Sequence, residues 1–341
     1  MVSDPKVPGS AYAIGCDIGA TQMRAALSDP DGDLLQRAAC PTEPERGIDD
    51  AAGRAWSLIT EVSEGVGREE IAGIGISAAG PIEPSTGTYN HPPNLPGWHG
   101  RTMVPYLRNA TQLPVWVIHD AHAAAVAEAK YGAAQGMKDV VYVTVSTGIG
   151  GGMISDGVPV NGRHGMAGEI GHLIIDTAGP LCNAGCHGCL EVFAAGGGSA
   201  TQARRLAEEG GAAAIVALAD GDPGQITGRM VYEAAAGGDS EAAGIVETAV
   251  DALATGFANI LATFDPGVLV VGGSVVVGDE AVHGLVPYWD DLIERVKSRG
   301  LLRFRDGVPI VVSELGDDVG LKGAAAMAFE ATDLSGSSTA D

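Results

Sequence analysis

Two stretches of this chain turn back on themselves at small residues, and together they limit the folds open to it. The first is GCDIGATQMR, residues 15–24, and the second is VTVSTGIGGGMISDG, residues 143–157. In each, an apolar run of strand length meets a Gly turn and continues as another run, the pattern of a hairpin in a half-buried sheet. Residues 11–40 hold three such runs separated by Gly and Asp-Gly signals, a β-meander. An amphipathic helix over 49–66 follows, then the strand IAGIGIS, the loop NHPPNLPGWHG, a short helix, the strand PVWVIH and an Ala-rich helix over 121–131. After about residue 135 the plan recurs. DVVYVTVSTGIGGGMISDG supplies paired strands, helices fill 199–263, and PGVLVVGGSV is a buried strand. A helix over 290–299, the strand VPIVVSEL and a helix over 319–331 close the chain. No short sequence repeat accompanies this duplication, which is one of architecture only. The fold class is α/β.

Composition narrows the function classes. At 341 residues, 45% of them hydrophobic, the chain can bury a full core. It holds no unbroken run of about 18 apolar residues, and the opening MVSDPKVPGS lacks the apolar stretch of a secretory signal, so a cytoplasmic protein with no membrane contact is expected. A net charge of −23 and no Lys/Arg-rich run argue against a nucleic-acid partner. Only five of the 20 basic residues are Lys, which fits a salt-adapted surface or coding bias equally well. Five cysteines, an odd number, point to metal ligands or free thiols rather than a disulfide framework.

The glycine turns suit phosphate. In the first, Asp17 ends a strand before Gly19, Ala20 and Thr21; backbone N–H groups there can approach phosphate oxygens, and the aspartate can hold Mg²⁺ or its water. Taken alone, these residues read first as a plain hairpin turn, for which Asp and Gly are ordinary. The second turn offers Ser146, Thr147 and the glycines from Gly148 to Gly152, and VVGGS adds Gly272 and Gly273. A dinucleotide fingerprint fails, because Met153 stands where the last glycine after Gly148 should be. GIGISA at Gly73 fits the fingerprint but has no acidic residue about 20 positions on. No P-loop is present. In VIHDAHAAAVAE, Asp120 ends a strand and opens a helix; it can cap that helix or serve as the base in phosphoryl transfer.

With these residues in view, the chain resembles the ROK family of sugar kinases and repressors, within the sugar kinase/actin/Hsp70 superfamily. The likeness runs from about residue 11 to 330, and VSTGIGGGMISDGVPVNGRHGMAGEIGH, residues 145–172, matches the family signature. It implies a two-lobed actin-like ATPase (ribonuclease H-like) fold with duplicated βββαβαβα lobes and a central cleft. Residues 11–119 with 319–331 would form the small lobe and 120–318 the larger one, with 1–10 and 332–341 as disordered tails. The implied activity is ATP-dependent phosphorylation of a hexose, foremost glucose to glucose 6-phosphate, with Asp120 as general base. N-acetylmannosamine, N-acetylglucosamine, fructose and allose are alternative substrates.

The same resemblance assigns Asn94, His119, Glu169, His172 and Glu191, beside Asp120, to the sugar, where Asn, His and carboxylate groups pair with hydroxyls. ATP and Mg²⁺ would meet Asp17, Gly19, Ala20 and Thr21 in one half, and Thr147, Gly148, Gly150, Gly272 and Gly273 in the other. Ala20, Gln22 and His119 depart from the family's commoner DIGGTK and NDANAA, which leaves a non-catalytic sugar sensor open. A repressor would carry a helix-turn-helix ahead of this part, and Asp17 stands too near the start for one.

GPLCNAGCHGCLEVF, residues 179–193, completes the reading. His172 with Cys182, Cys186 and Cys189 makes a closed set of one imidazole and three thiolates, the composition of a structural Zn²⁺ site. The family pattern C-x-C-G-x-x-G-C puts Ala184 where a middle cysteine is expected, so Cys186 or His187 substitutes. Cys16 and Cys40 fall on predicted strands as ordinary thiols. A homodimer or homotetramer is implied by the resemblance alone.

Overall fold

A computed structural model describes residues 10–277, 284–302 and 307–337. The chain opens with β1 (Tyr12–Ile18), β2 (Gln22–Ser28) and β3 (Leu34–Pro41), then α1 (Ile48–Val62), β4 (Ile71–Ala78) and the two-residue strands β5 (Ile82–Glu83) and β6 (Thr88–Tyr89). Next come α2 (Val104–Thr111), β7 (Val115–His119), α3 (Asp120–Tyr131), β8 (Val140–Val145), β9 (Ile149–Ser155) and β10 (Val158–Pro159). The remainder is α4 (Leu190–Ala194), α5 (Gly196–Glu208), α6 (Ala213–Leu218), α7 (Gly228–Ala236), α8 (Ser240–Phe264), β11 (Val268–Gly272), α9 (Trp289–Arg299), β12 (Ile310–Val312) and α10 (Val319–Ser337).

The architectural duplication expected from sequence is present. One five-stranded sheet runs β3-β2-β1-β4-β7 and the other β10-β9-β8-β11-β12, so both have the order third, second, first, fourth, fifth. In the first, β1 and β2 pair antiparallel while β1, β4 and β7 are parallel. In the second, β8, β11 and β12 are parallel. Parallel neighbours buried on both faces explain why β4 and β11 read as unbroken apolar runs.

The chain divides into two compact units. One comprises the residues up to Lys138, Gly152–Gly168 and the chain from Asp317; the other comprises Asp139–Gly151 and Glu169–Gly316. In the first unit α10 lies across β1 and β4. Gly15 and Gly75 allow that approach, since a Cβ at either would collide with the α10 carbonyls of Leu321 or Ala324. This is why GIGISA carries glycines without being a nucleotide fingerprint: the second of them is a packing contact. The helix α10 continues past the expected end at 331, to Ser337, while residues 1–9 and 338–341 of the expected tails lie outside the described residues.

In the second unit α8 is the central helix, flanked by α4, α7 and α9. Among the described residues it alone is long and apolar enough to cross a membrane, yet 67% of its most apolar window is buried inside the protein. Val246, Val250, Leu253, Phe257 and Ile260 are all fully covered, the burial of a core helix.

Candidate functional site

In the first unit the parallel strands end in register. Asp17 stands opposite Ser77, Ser77 opposite Ile118, and Ala78 opposite His119, so β1 and β7, on either side of β4, carry Asp17, His119 and the following Asp120 to the same carboxyl end of the parallel strands. Such carboxyl ends of parallel strands are where open α/β sheets bind ligands.

Asp120 opens α3. Its Oδ1 accepts from the N–H of Ala121 at 2.7 Å and lies 3.1 Å from His119 Nδ1, the latter out of hydrogen-bonding alignment. Both close polar contacts fall on Oδ1, and the side chain is half exposed, so Oδ2 faces a position where a proton can be accepted. His119 packs on Gly80, where a Cβ would strike the imidazole ring. The first turn of α3 also meets Gly152 of β9, whose Cβ would collide with the Ala121 carbonyl. That glycine, expected to serve a phosphate loop, spaces strand from helix.

Asp17 is tied down. Arg24 donates to its Oδ2 from Nη2 at 2.5 Å and from Nε at 3.2 Å, and the Ser77 hydroxyl donates to Oδ1 at 3.1 Å. Gly19, Ala20 and Thr21 form the β1–β2 turn; Thr42 holds it by donating its hydroxyl to the Gly19 carbonyl and its N–H to that of Thr21. Arg24 was not foreseen, although its place two residues beyond Gln22 puts both on one face of β2. Asn94 is exposed in the loop after β6, beside the buried anchors Leu95 and Trp98. Trp98 donates its indole N–H to the Pro44 carbonyl and packs edge-on against Tyr89 at 5.1 Å. A cavity of about 350 Å³ in the same unit is lined by Glu83, Thr88, Asn90, His99 and His164, and includes neither Asn94 nor Asp120.

In the second unit Thr147 and Gly148 occupy the β8–β9 turn, Gly150 the start of β9, and Gly272 and Gly273 the end of β11. Ser146 Oγ lies 2.8 Å from Ser274 Oγ, joining the second turn to the third. The first residues of α5 join them as well: Gly196 and Gly197 donate their N–H groups to the carbonyls of Ser146 and Thr147, at 2.7 and 2.9 Å. These α5 glycines were missed in the sequence, where the signal was GGGS at a helix start. Glu191, in α4, accepts from the N–H of Ile149 at 2.9 Å, so its carboxylate is oriented by the second glycine turn.

The cysteine region closes on itself. The donor atoms of His172, Cys182, Cys186 and Cys189 all lie within 4.8 Å of one another. His172 Nδ1 is 3.8 Å from Cys182 Sγ and 3.6 Å from Cys186 Sγ. A tetrahedral site with metal–sulfur bonds of about 2.3 Å separates its donors by about 3.6–3.8 Å, so the set fits such an ion. Cys186 is the third thiol. The Cys182 N–H donates to the Cys186 carbonyl at 2.7 Å, and Leu181 pairs with His187, so Cys186 turns inward while His187, the next residue, is exposed. Burial, with the neighbouring Cys186 and Cys182 thiols, pushes the metal-free Cys189 thiol up to about 12. His172 Nε2, the nitrogen away from the sulfurs, is 3.9 Å from Glu169 Oε2. Cys16 is buried, its thiol also raised to about 12 by burial, and Cys40 is partly buried; neither joins the cluster.

The duplicated sheet order with strand-end carboxylates places the protein in the actin-like ATPase fold class. The chain belongs to the ROK family, whose model matches residues 13–331. It is 33% identical over 320 residues to a glucokinase of Thermotoga maritima, covering 93% of this chain and 97% of that one. It is also 33% identical over 316 residues to an N-acetylmannosamine kinase of Escherichia coli, covering 92% and 97% of the two chains. Among solved structures, a ROK family glucokinase of Streptomyces griseus in complex with glucose and AMPPNP superposes with a TM-score of 0.72 at 30% identity, covering 94% and 99%.

Proposed function

We propose that the protein is an ATP-dependent hexokinase that converts glucose to glucose 6-phosphate. The observation that carries the reading is Asp120: a half-exposed carboxylate on the first turn of α3, one oxygen held by the Ala121 N–H and the other open to a substrate. Asp120 takes the proton of the sugar 6-hydroxyl as that oxygen bonds to the γ-phosphorus of ATP, and the bond from the γ-phosphorus to the β,γ-bridging oxygen breaks to release ADP. Asn94, His119, Glu169, His172 and Glu191 are the other proposed hexose ligands. Asp17, Gly19, Ala20, Thr21, Thr147, Gly148, Gly150, Gly272 and Gly273 are the proposed nucleotide contacts.

Mg²⁺, when bound, neutralises charge on the phosphates, and Asp17 is the carboxylate proposed to hold it or its water. Zn²⁺ is the proposed occupant of the His172, Cys182, Cys186 and Cys189 cluster. Four protein donors would leave no open position, so the ion would serve structure and would hold the His172 ring, leaving Nε2 for the sugar. Cytoplasmic placement and a homodimer or homotetramer belong to the same reading.

N-acetylmannosamine is the second substrate reading, supported by the E. coli relative at equal identity. ADP release coupled to an indicator enzyme, measured across glucose, N-acetylmannosamine, N-acetylglucosamine, fructose and allose, separates the two. Glucose is expected to give the highest kcat/KM; turnover on N-acetylmannosamine alone would transfer the assignment, and no turnover on any sugar would leave a sensor.

A further inference from the structure

His122 lies two residues beyond Asp120, on the same first turn of α3, and nothing so far gives it a task. It is 1% exposed, one of few buried polar residues among those described. Its Nε2 lies 2.8 Å from the carbonyl oxygen of Val160. A carbonyl only accepts, so Nε2 must carry the hydrogen. Burial pulls the group down to about 4, which keeps the ring neutral at ordinary pH. Nδ1 is then a bare acceptor, and it is buried without a hydrogen-bond partner among the described residues. A lone imidazole in that state is costly to bury, so the contact made by Nε2 is what the position has to offer.

That contact ties α3 to a particular stretch of chain. Val160 follows β10, and the segment continues through Gly168 to Glu169, one of the proposed sugar ligands. The strand that leads into the segment touches the same turn from its other end: Gly152 sits against the Ala121 carbonyl and the His122 N–H. Gly323 of α10 abuts the Ala123 carbonyl. The His122 ring also stands edge-on to that of His119, with centroids 6.0 Å apart. The turn that presents Asp120 is therefore gripped on its backbone by two glycines and on its side chains by one directed bond.

We infer that His122 is a positioning residue for Asp120, its Nε2–H bond to Val160 fixing the first turn of α3 against the segment that runs on to Glu169. The inference rests on the reading of Asp120 as the catalytic base. The bond is made to a backbone carbonyl. Its loss therefore acts on the placement of the carboxylate, and a displacement of about 1 Å is enough to cost on the order of 10²-fold in rate.

Glutamine reaches about as far as imidazole Nε2 and keeps a donor there, asparagine falls short, and leucine fills the space with no donor. In steady-state assays H122Q is expected to keep kcat within about threefold, whereas H122N and H122L lose about 30-fold or more, with the hexose KM shifted less than about threefold in all. Nitrogen NMR of the unmodified protein is expected to find the hydrogen on Nε2 and none on Nδ1. A folded H122L with near-normal kcat would overturn the inference. So would equal losses in H122Q and H122N, or a hydrogen found on Nδ1 alone. If H122L does not fold, the H122Q and H122N pair decides. Failure of the kinase reading is told apart, because the unmodified protein would then turn over no hexose while the tautomer measurement needs no turnover.

Discussion

At the residue scale, polar side chains at α3 divide between those the sequence declares and those only the fold reveals. Asp120 and His119 were legible because a strand followed by an acidic helix start is a local pattern. His122 was not, because its partner Val160 is 38 residues away and no local signal in an Ala-rich helix marks a buried imidazole. Arg24 was hidden likewise, since its meaning depends on facing Asp17 across a paired strand.

The buried His122 has a consequence for stability. Its folded value is about 4 against 6.5 for a free imidazole, so as pH falls the unfolded chain takes up the proton first. The His122 contribution is full above about pH 6.5, declines through the window and stops declining below about pH 4, a loss of about 3 kcal/mol from this group. Urea unfolding between about pH 7 and 4.5 should therefore weaken the native protein more steeply than H122Q. Equal slopes would mean that His122 is not buried neutral.

Among elements, the turn that carries Cys182 and Cys186 shows what spacing alone leaves open. The sequence offered four candidate ligands with one choice open, Cys186 or His187; with Leu181 paired to His187, it is Cys186 whose thiol joins the other donors, while His187 is exposed. Metal analysis should find about one zinc per chain. Cys189→Ser should lower the zinc content, reduce Tm by about 5 °C or more and raise the hexose KM, since His172 would lose its fixed ring. Because the metal-free thiol sits high, zinc retention should fall as pH is lowered and protons compete for the sulfurs. A zinc-free native protein with unchanged Tm after Cys189→Ser would refute this role.

Gly19 and Gly148 fall in the β1–β2 and β8–β9 turns, as their spacing predicts, whereas Gly150 and Gly152 lie within β9. Gly152 looked like part of a phosphate loop, and the sequence cannot say that α3 lies against it. Gly152→Ala should force the Ala121 carbonyl away and reduce kcat about tenfold or more, at a stability cost of about 1–3 kcal/mol, readable by kinetics and thermal melting. Wild-type kinetics from that variant would show that α3 is not held there.

For the molecule as a whole, the α/β class and the duplicated architecture were legible because hydrophobic period and turn chemistry act locally in both halves. The identical strand order was not, since pairing β1 with β4 and β8 with β11 joins runs far apart in the chain. The net charge of −23 gives the molecule no long-range attraction for a polyanion.

The kinase proposal stands or falls with Asp120 taking the hexose proton. The most direct measurement is kcat for Asp120→Asn beside calorimetric titration of the same variant with glucose. kcat is expected to fall by about 10²–10⁴-fold while the glucose Kd stays within about threefold. Turnover close to that of the unmodified protein would contradict it.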